Sequence, residues 1–137
     1  IEYNVRLGDP ETESVLPRIK TDLLEIFLAT ARGSLSDLKM EIDERTAACV
    51  MLVSGGYPGV YSKGKEISGL DKINDSMVFH AGTAWENDTV VSSGGRVIAV
   101  TSLASDLKTA VATSLSSAEK ICFEGSYFRS DIGKDLL

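Results

Sequence analysis

The sequence predicts an α+β protein: a strand and two helices, a charged linker, then a mainly antiparallel sheet domain with one long helix. Three observations predict it. Residues 1–6 alternate, with Glu2, Asn4 and Arg6 on one side and Tyr3 and Val5 on the other, which is the period of a strand. Apolar residues recur at helical spacing in two stretches, around 23–31 and 106–121. Between those helices lie several short β-compatible runs joined by connections too short for crossover helices, so their pairing is antiparallel.

The elements follow in order. Gly8-Asp9-Pro10 breaks the first strand, with Asp9 as N-cap and Pro10 as first residue of a short helix. Pro17 limits that helix to about two turns. Asp22 and Glu25 have capping-box spacing for a second helix, whose face is Leu23, Leu24, Phe27, Leu28 and Ala31. Gly33 is placed to end it. Residues 34–45 are mixed and charged and read as a linker with a short strand near 40–42; they hold the candidate domain boundary.

Residues 46–53 are an unbroken apolar run, hence a buried strand, stopped by Ser54-Gly55-Gly56-Tyr57-Pro58-Gly59. Residues 65–70 and 76–80 read as further strands, and 85–91 as a hairpin around Glu86-Asn87-Asp88. Gly94-Gly95 precedes a strong strand from Arg96 to Thr101. Ser105 then caps the longest helix, whose face is Leu107, Ala110, Val111, Leu115, Ala118 and Ile121.

Composition narrows the function. With 43% hydrophobic and 25% charged residues the chain is that of a soluble globular protein, and no apolar run approaches the ~20 residues of a membrane span. A net charge of −6 argues against a nucleic-acid partner, which needs a basic face. Cys49 and Cys122 each sit in an apolar run, so buried, reduced thiols and a cytoplasmic setting are expected. His80 is the one histidine, which removes any His-His metal site; without a matching nucleophile motif its expected role is structural.

The densest chemistry lies in Glu2-Tyr3-Asn4-Val5-Arg6-Leu7-Gly8-Asp9-Pro10-Glu11, at the very start of a chain without an initiator Met, as expected for the tail of a larger enzyme. On a strand, Glu2 and Asn4 point the same way, their Cα atoms about 7 Å apart. Two oxygen ligands so placed can hold Mg²⁺ while phosphate and water fill its remaining positions. Arg6 adds a fork for a carboxylate or phosphate on the same face, and the turn can bring Asp9 toward it. A bare Glu-x-Asn is usually only the solvated face of a strand; Glu-x-Asn-x-Arg followed by Gly-Asp-Pro-Glu is far more specific.

This stretch resembles the metal-binding strand that closes the core of ATP-grasp ligases, and more narrowly the phosphoribosylamine–glycine ligase (glycinamide ribonucleotide synthetase) family. The similarity continues through Ser54-Gly55-Gly56-Tyr57-Pro58-Gly59, Val78-Phe79-His80-Ala81-Gly82-Thr83, Gly94-Gly95-Arg96-Val97 and Arg129-Ser130-Asp131-Ile132-Gly133. Leu7, Ser130 and Lys134-Asp135 depart from the family's usual residues, and none is a proposed metal ligand.

The resemblance implies a fold and a function. Residues 1–40 would be the C-terminal end of the ATP-grasp domain and residues 41–137 the ligase's C-terminal domain. The activity would be ATP-dependent joining of glycine to 5-phosphoribosylamine through glycyl phosphate, giving glycinamide ribonucleotide, ADP and phosphate in purine biosynthesis. Glu2 and Asn4 would ligate Mg²⁺ (or Mn²⁺) on the ATP phosphates, with Arg6 and Asp9 as catalytic groups at the acyl-phosphate end. Gly56, Tyr57 and Arg96 are the further candidates for substrate contact, the loop walling the pocket and Arg96 meeting a phosphate. A tight turn and a surface ion pair are the ordinary readings of the same residues. The partners are small molecules, with neither nucleic acid nor membrane, and the enzyme is expected to be a monomer. The 137 residues alone are expected to be inactive. The competing readings are a fragment of another ATP-grasp ligase or carboxylase, and a non-catalytic interaction domain.

Overall fold

The computed structural model describes residues 5–8 and 10–136. Its centre is a three-stranded antiparallel sheet of order β1-β5-β2, formed by β1 (Thr46–Val53), β5 (Arg96–Ala104) and β2 (Met77–His80). Strand β5 is central, and Val97, Ile98, Ala99, Val100 and Thr101 on it are fully buried. An unbroken apolar run is what a strand covered on both faces requires.

The other strands, β3 (Thr83–Glu86) and β4 (Thr89–Ser92), form a separate hairpin. Its two turn residues, Asn87 and Asp88, have φ of 47° and 61°, the left-handed pair that a two-residue hairpin demands. Residues 65–70, expected as a strand, are held through single bridges only, Glu66 with Val91 of β4 and Ser68 with Cys122 beyond the longest helix. Gly69 turns the chain at φ 84° into a 3₁₀ turn over Leu70–Lys72, which ends any longer pairing.

Helix α3 (Leu107–Ala118) packs on the sheet through small residues, burying Ala110, Val111, Ser114, Ser117 and Ala118. Its cap is Asp106, not Ser105: Asp106 Oδ1 accepts from the Thr109 N–H at 2.8 Å, and the Ser105 hydroxyl donates to Asp106 instead. The Thr109 bonds hold the Asp106 carboxyl below its usual pKa. Ser114 donates to the Ala48 carbonyl at 2.8 Å, and its Oγ lies 2.8 Å from Ser102 Oγ. Ser76 Oγ extends the network to Ser102 at 2.8 Å and Ser117 at 2.7 Å. The main apolar cluster, with Val50, Leu52, Ile67, Ile98, Ile121 and Phe123, lies alongside.

The preceding segment differs. Of the strand expected over residues 1–6, only Val5 and Arg6 are described, and they form a bend. The first helix, α1 (Thr12–Val15), begins after Glu11 rather than at Pro10, and passes at Pro17 into a 3₁₀ turn over Leu16–Arg18. Helix α2 (Leu23–Ala31) is capped as expected, Asp22 accepting from the Leu24 N–H at 2.7 Å, with Gly33 following at φ 69°. The strand expected near 40–42 is a single bridge between Ile42 and Ile19. Asp43 joins the two parts: its N–H donates to the Arg18 carbonyl at 2.6 Å, and its own carbonyl accepts from Arg18 Nε at 3.0 Å. The Arg45 guanidinium grips the 7%-exposed Asp43, Nη2 to Oδ2 at 2.8 Å, and holds its carboxyl well below the usual carboxylate range.

Candidate functional site

The site is built where β1, β5 and the C-terminal tail converge. Val53 pairs with Arg96 on one side and forms an antiparallel bridge with Tyr127 on the other. The loop after β1 is tied down at once. Ser54 N–H donates to the Gly95 carbonyl at 2.8 Å, and Ser54 Oγ donates to the Gly94 carbonyl at 2.9 Å. Tyr57 N–H then donates to the Ser54 carbonyl at 3.0 Å, closing a tight turn. Gly56 takes φ 93°, with Val60's carbonyl where a Cβ would stand, so the turn needs glycine there.

These ties create a groove of about 320 Å³. Tyr57 and Pro58 form one wall, and Tyr127 and Phe128 contribute from the tail. The Tyr127 hydroxyl donates across to the Tyr57 carbonyl at 2.8 Å, fastening one wall to the other. The rings of Tyr57 and Tyr61 lie 6.2 Å apart, tilted at 59°. Arg96 and Arg129 supply positive charge to the lining. Asp131 takes the Nε and Nη2 edge of Arg129 at 2.9 Å and 2.8 Å, an ion pair that lowers the Asp131 pKa and raises that of Arg129. An apolar trough with arginines in its lining suits a ligand that carries both a ring and an anionic group.

A family model described as "Phosphoribosylglycinamide synthetase, C domain" matches residues 47–135, the part that contains nearly all of the sheet, α3 and the groove. The chain belongs to that family. Over 132 residues the chain is 47% identical to a phosphoribosylamine–glycine ligase of Caldanaerobacter subterraneus, covering 96% of this chain and 32% of that protein. It is 45% identical to the ligase of Synechocystis over its whole length, which is 33% of that relative. The crystal structure of the Thermotoga maritima ligase superposes with a TM-score of 0.81 at 35% identity, covering 96% of this chain and 32% of that one. The chain thus spans about a third of the length of these relatives.

The candidate residues of the sequence fall into two sets. Glu2, Asn4 and Asp9 lie outside the described residues. Arg6 is exposed, its Nη1 donating to the Leu7 carbonyl at 3.1 Å. Tyr57 and Arg96, 39 positions apart, are brought together in the groove, and Gly56 sits in the turn beside it. Tyr127, Phe128 and Arg129 were missed as pocket residues. The signal was an aromatic pair beside an arginine, but only the Val53–Tyr127 bridge brings the tail to this place. His80 is exposed, with Nδ1 3.1 Å from Thr83 Oγ1. Cys49 and Cys122 are not joined in a disulfide, but Cys122 is exposed and Cys49 only half-buried, correcting the expectation of burial. At Cys122 the backbone pairs with Ser68 while Ile121 and Phe123 turn inward, and strand alternation sends the thiol out. No helix among the described residues is long and apolar enough to cross a membrane.

Proposed function

We propose that the chain is the C-terminal part of a phosphoribosylamine–glycine ligase, which joins glycine to 5-phosphoribosylamine with ATP and releases ADP and phosphate through glycyl phosphate. The observation that carries this is the 47% identity to such a ligase over 96% of the chain. Residues 1–40 close the ATP-grasp domain and 41–137 form the domain beside it. The rest of the nucleotide pocket belongs to the other two thirds of the relatives' length, so the 137 residues alone do not turn over.

Glu2 and Asn4 offer a carboxylate and an amide oxygen, the hard donors that Mg²⁺ or Mn²⁺ takes. These two residues would hold the ion, and it would supply positive charge for a phosphoryl group in transfer. Arg6 stabilises negative charge growing at the acyl phosphate, and Asp9 accepts a hydrogen bond from the amine that attacks it. The groove of Tyr57 and Arg96 walls the substrate pocket, its arginine toward the phosphate of the phosphoribosyl group. The ligase acts in the cytoplasm as a monomer.

Glu2→Ala in the full-length enzyme tests the reading. Ligation, followed as ADP release that requires both glycine and phosphoribosylamine, is expected to vanish while circular dichroism is unchanged. Near-normal turnover would sink the assignment.

A further inference from the structure

The aromatic wall of the groove rests on a residue without a side chain. A Cβ built on Gly95 would collide with Cδ2 of Tyr57, and would stand 2.6 Å from its Cε2 and 3.1 Å from Cε1 of Tyr61. All three atoms belong to rings. Gly95 is not among the glycines with positive φ, so alanine is conformationally acceptable there and its nearest obstacles are those rings. Other close-packed glycines differ: a Cβ on Gly56, Gly69 or Gly82 meets backbone.

The backbone of Tyr57 is held independently of its ring. Its N–H is bonded to Ser54 and its carbonyl to the Tyr127 hydroxyl. The direction of the ring is therefore set by the bare backbone it lies on. We infer that Gly95 is a positioning residue: it seats the Tyr57 ring so that the groove has the shape its substrate needs. The inference deepens the ligase reading, on which it rests for the identity of that substrate.

The experiment uses the full-length ligase with Gly95→Ala, Tyr57→Ala and the double variant, measuring kcat and KM for ATP, glycine and phosphoribosylamine generated in situ. Gly95→Ala is expected to raise KM for phosphoribosylamine by roughly tenfold, the size of a lost ring contact, with kcat held. Tyr57→Ala should do the same, and adding Gly95→Ala to it should change nothing further. Additive effects, or a fall in kcat with a lowered melting temperature, would overturn the inference. So would a normal Gly95→Ala beside an impaired Tyr57→Ala, which leaves the groove reading intact. A normal Tyr57→Ala removes both. Nitration by tetranitromethane, read peptide by peptide, reports the ring without any activity: Gly95→Ala should label faster at Tyr57, and unchanged labelling overturns the inference whatever the enzyme does.

Discussion

Helices α2 and α3 use their side chains in opposite ways. Helix α2 packs Leu23, Leu24, Ile26, Phe27 and Leu28 into nine residues, yet none of its residues is buried, and Leu24 and Phe27 are 64% and 63% exposed. Helix α3 carries threonines, serines and a lysine, yet it buries five residues. Burial here follows fit rather than hydrophobicity. Alanines and serines let α3 lie close on a flat sheet, where each contact is made to atoms already in place. On α2, Leu24, Phe27 and Leu28 stay exposed, and Leu23 and Ile26 are only half-buried. The same division runs through the chain, since every buried hydrophobic residue among those described lies at Ala48 or later.

The contrast can be broken by experiment, and the largest effect belongs to the sheet. Ile98→Ala empties a fully buried site in the main apolar cluster, and is expected to cost about 2–5 kcal/mol in urea unfolding of the 137-residue chain. A cost below 1 kcal/mol would mean that the sheet is not the stability-bearing core. The glycines near the two helices come next. Gly69 has φ 84° and lies against the Lys120 carbonyl just after α3, so Gly69→Ala should cost about 1–3 kcal/mol. Gly33 after α2 has φ 69° but nothing within 4 Å, so Gly33→Ala should cost only the left-handed penalty of about 1 kcal/mol. Equal losses would erase the difference between a packed helix end and a free one.

Asp43 tests the seam between the two parts. Hydrogen bonds from Arg45 depress its folded-state pKa below the unfolded value of about 3.9. Its stabilisation is therefore present above about pH 4 and is lost as pH falls through the folded value. Melting temperature should decline below about pH 4, and Asp43→Asn should flatten that decline; an identical acid limb in the variant would remove Asp43 as its source. The smallest effect is predicted for α2 itself. Phe27→Ser should stay within about 0.5 kcal/mol of the parent in the 137-residue chain, and a larger loss would show that this face is covered from within.

Much of this was legible because it is local. Strand β1 has the bounds its apolar run implied, Asp22 caps α2, and the Asn87-Asp88 turn closes the hairpin. The errors came where two local signals compete or where a distant partner decides. Ser105 and Asp106 are both good caps, and the choice rests on which oxygen reaches Thr109. Residues 65–70 had strand-like composition, but Gly69 turns the chain before a ladder forms. At the groove, Gly56, Tyr57 and Arg96 read equally well as a tight turn and a surface ion pair, and only the resemblance to the ligases singles them out. Tyr127, Phe128 and Arg129 join them through a pairing 74 positions long, which no periodicity announces.

The hydroxyls of Ser76, Ser102, Ser114 and Ser117 make α3 behave as a key cut for one notch. Leucines in their place would be too bulky for so close an approach and would carry no donor or acceptor to set a height. Donors and acceptors match at one height only, since a slide of a single turn would strand the buried hydroxyls of Ser102, Ser114 and Ser117. The helix is thereby indexed to β1 and β5, the two strands whose ends carry the groove, and the spacing of the site is inherited from serines on the far face of the sheet.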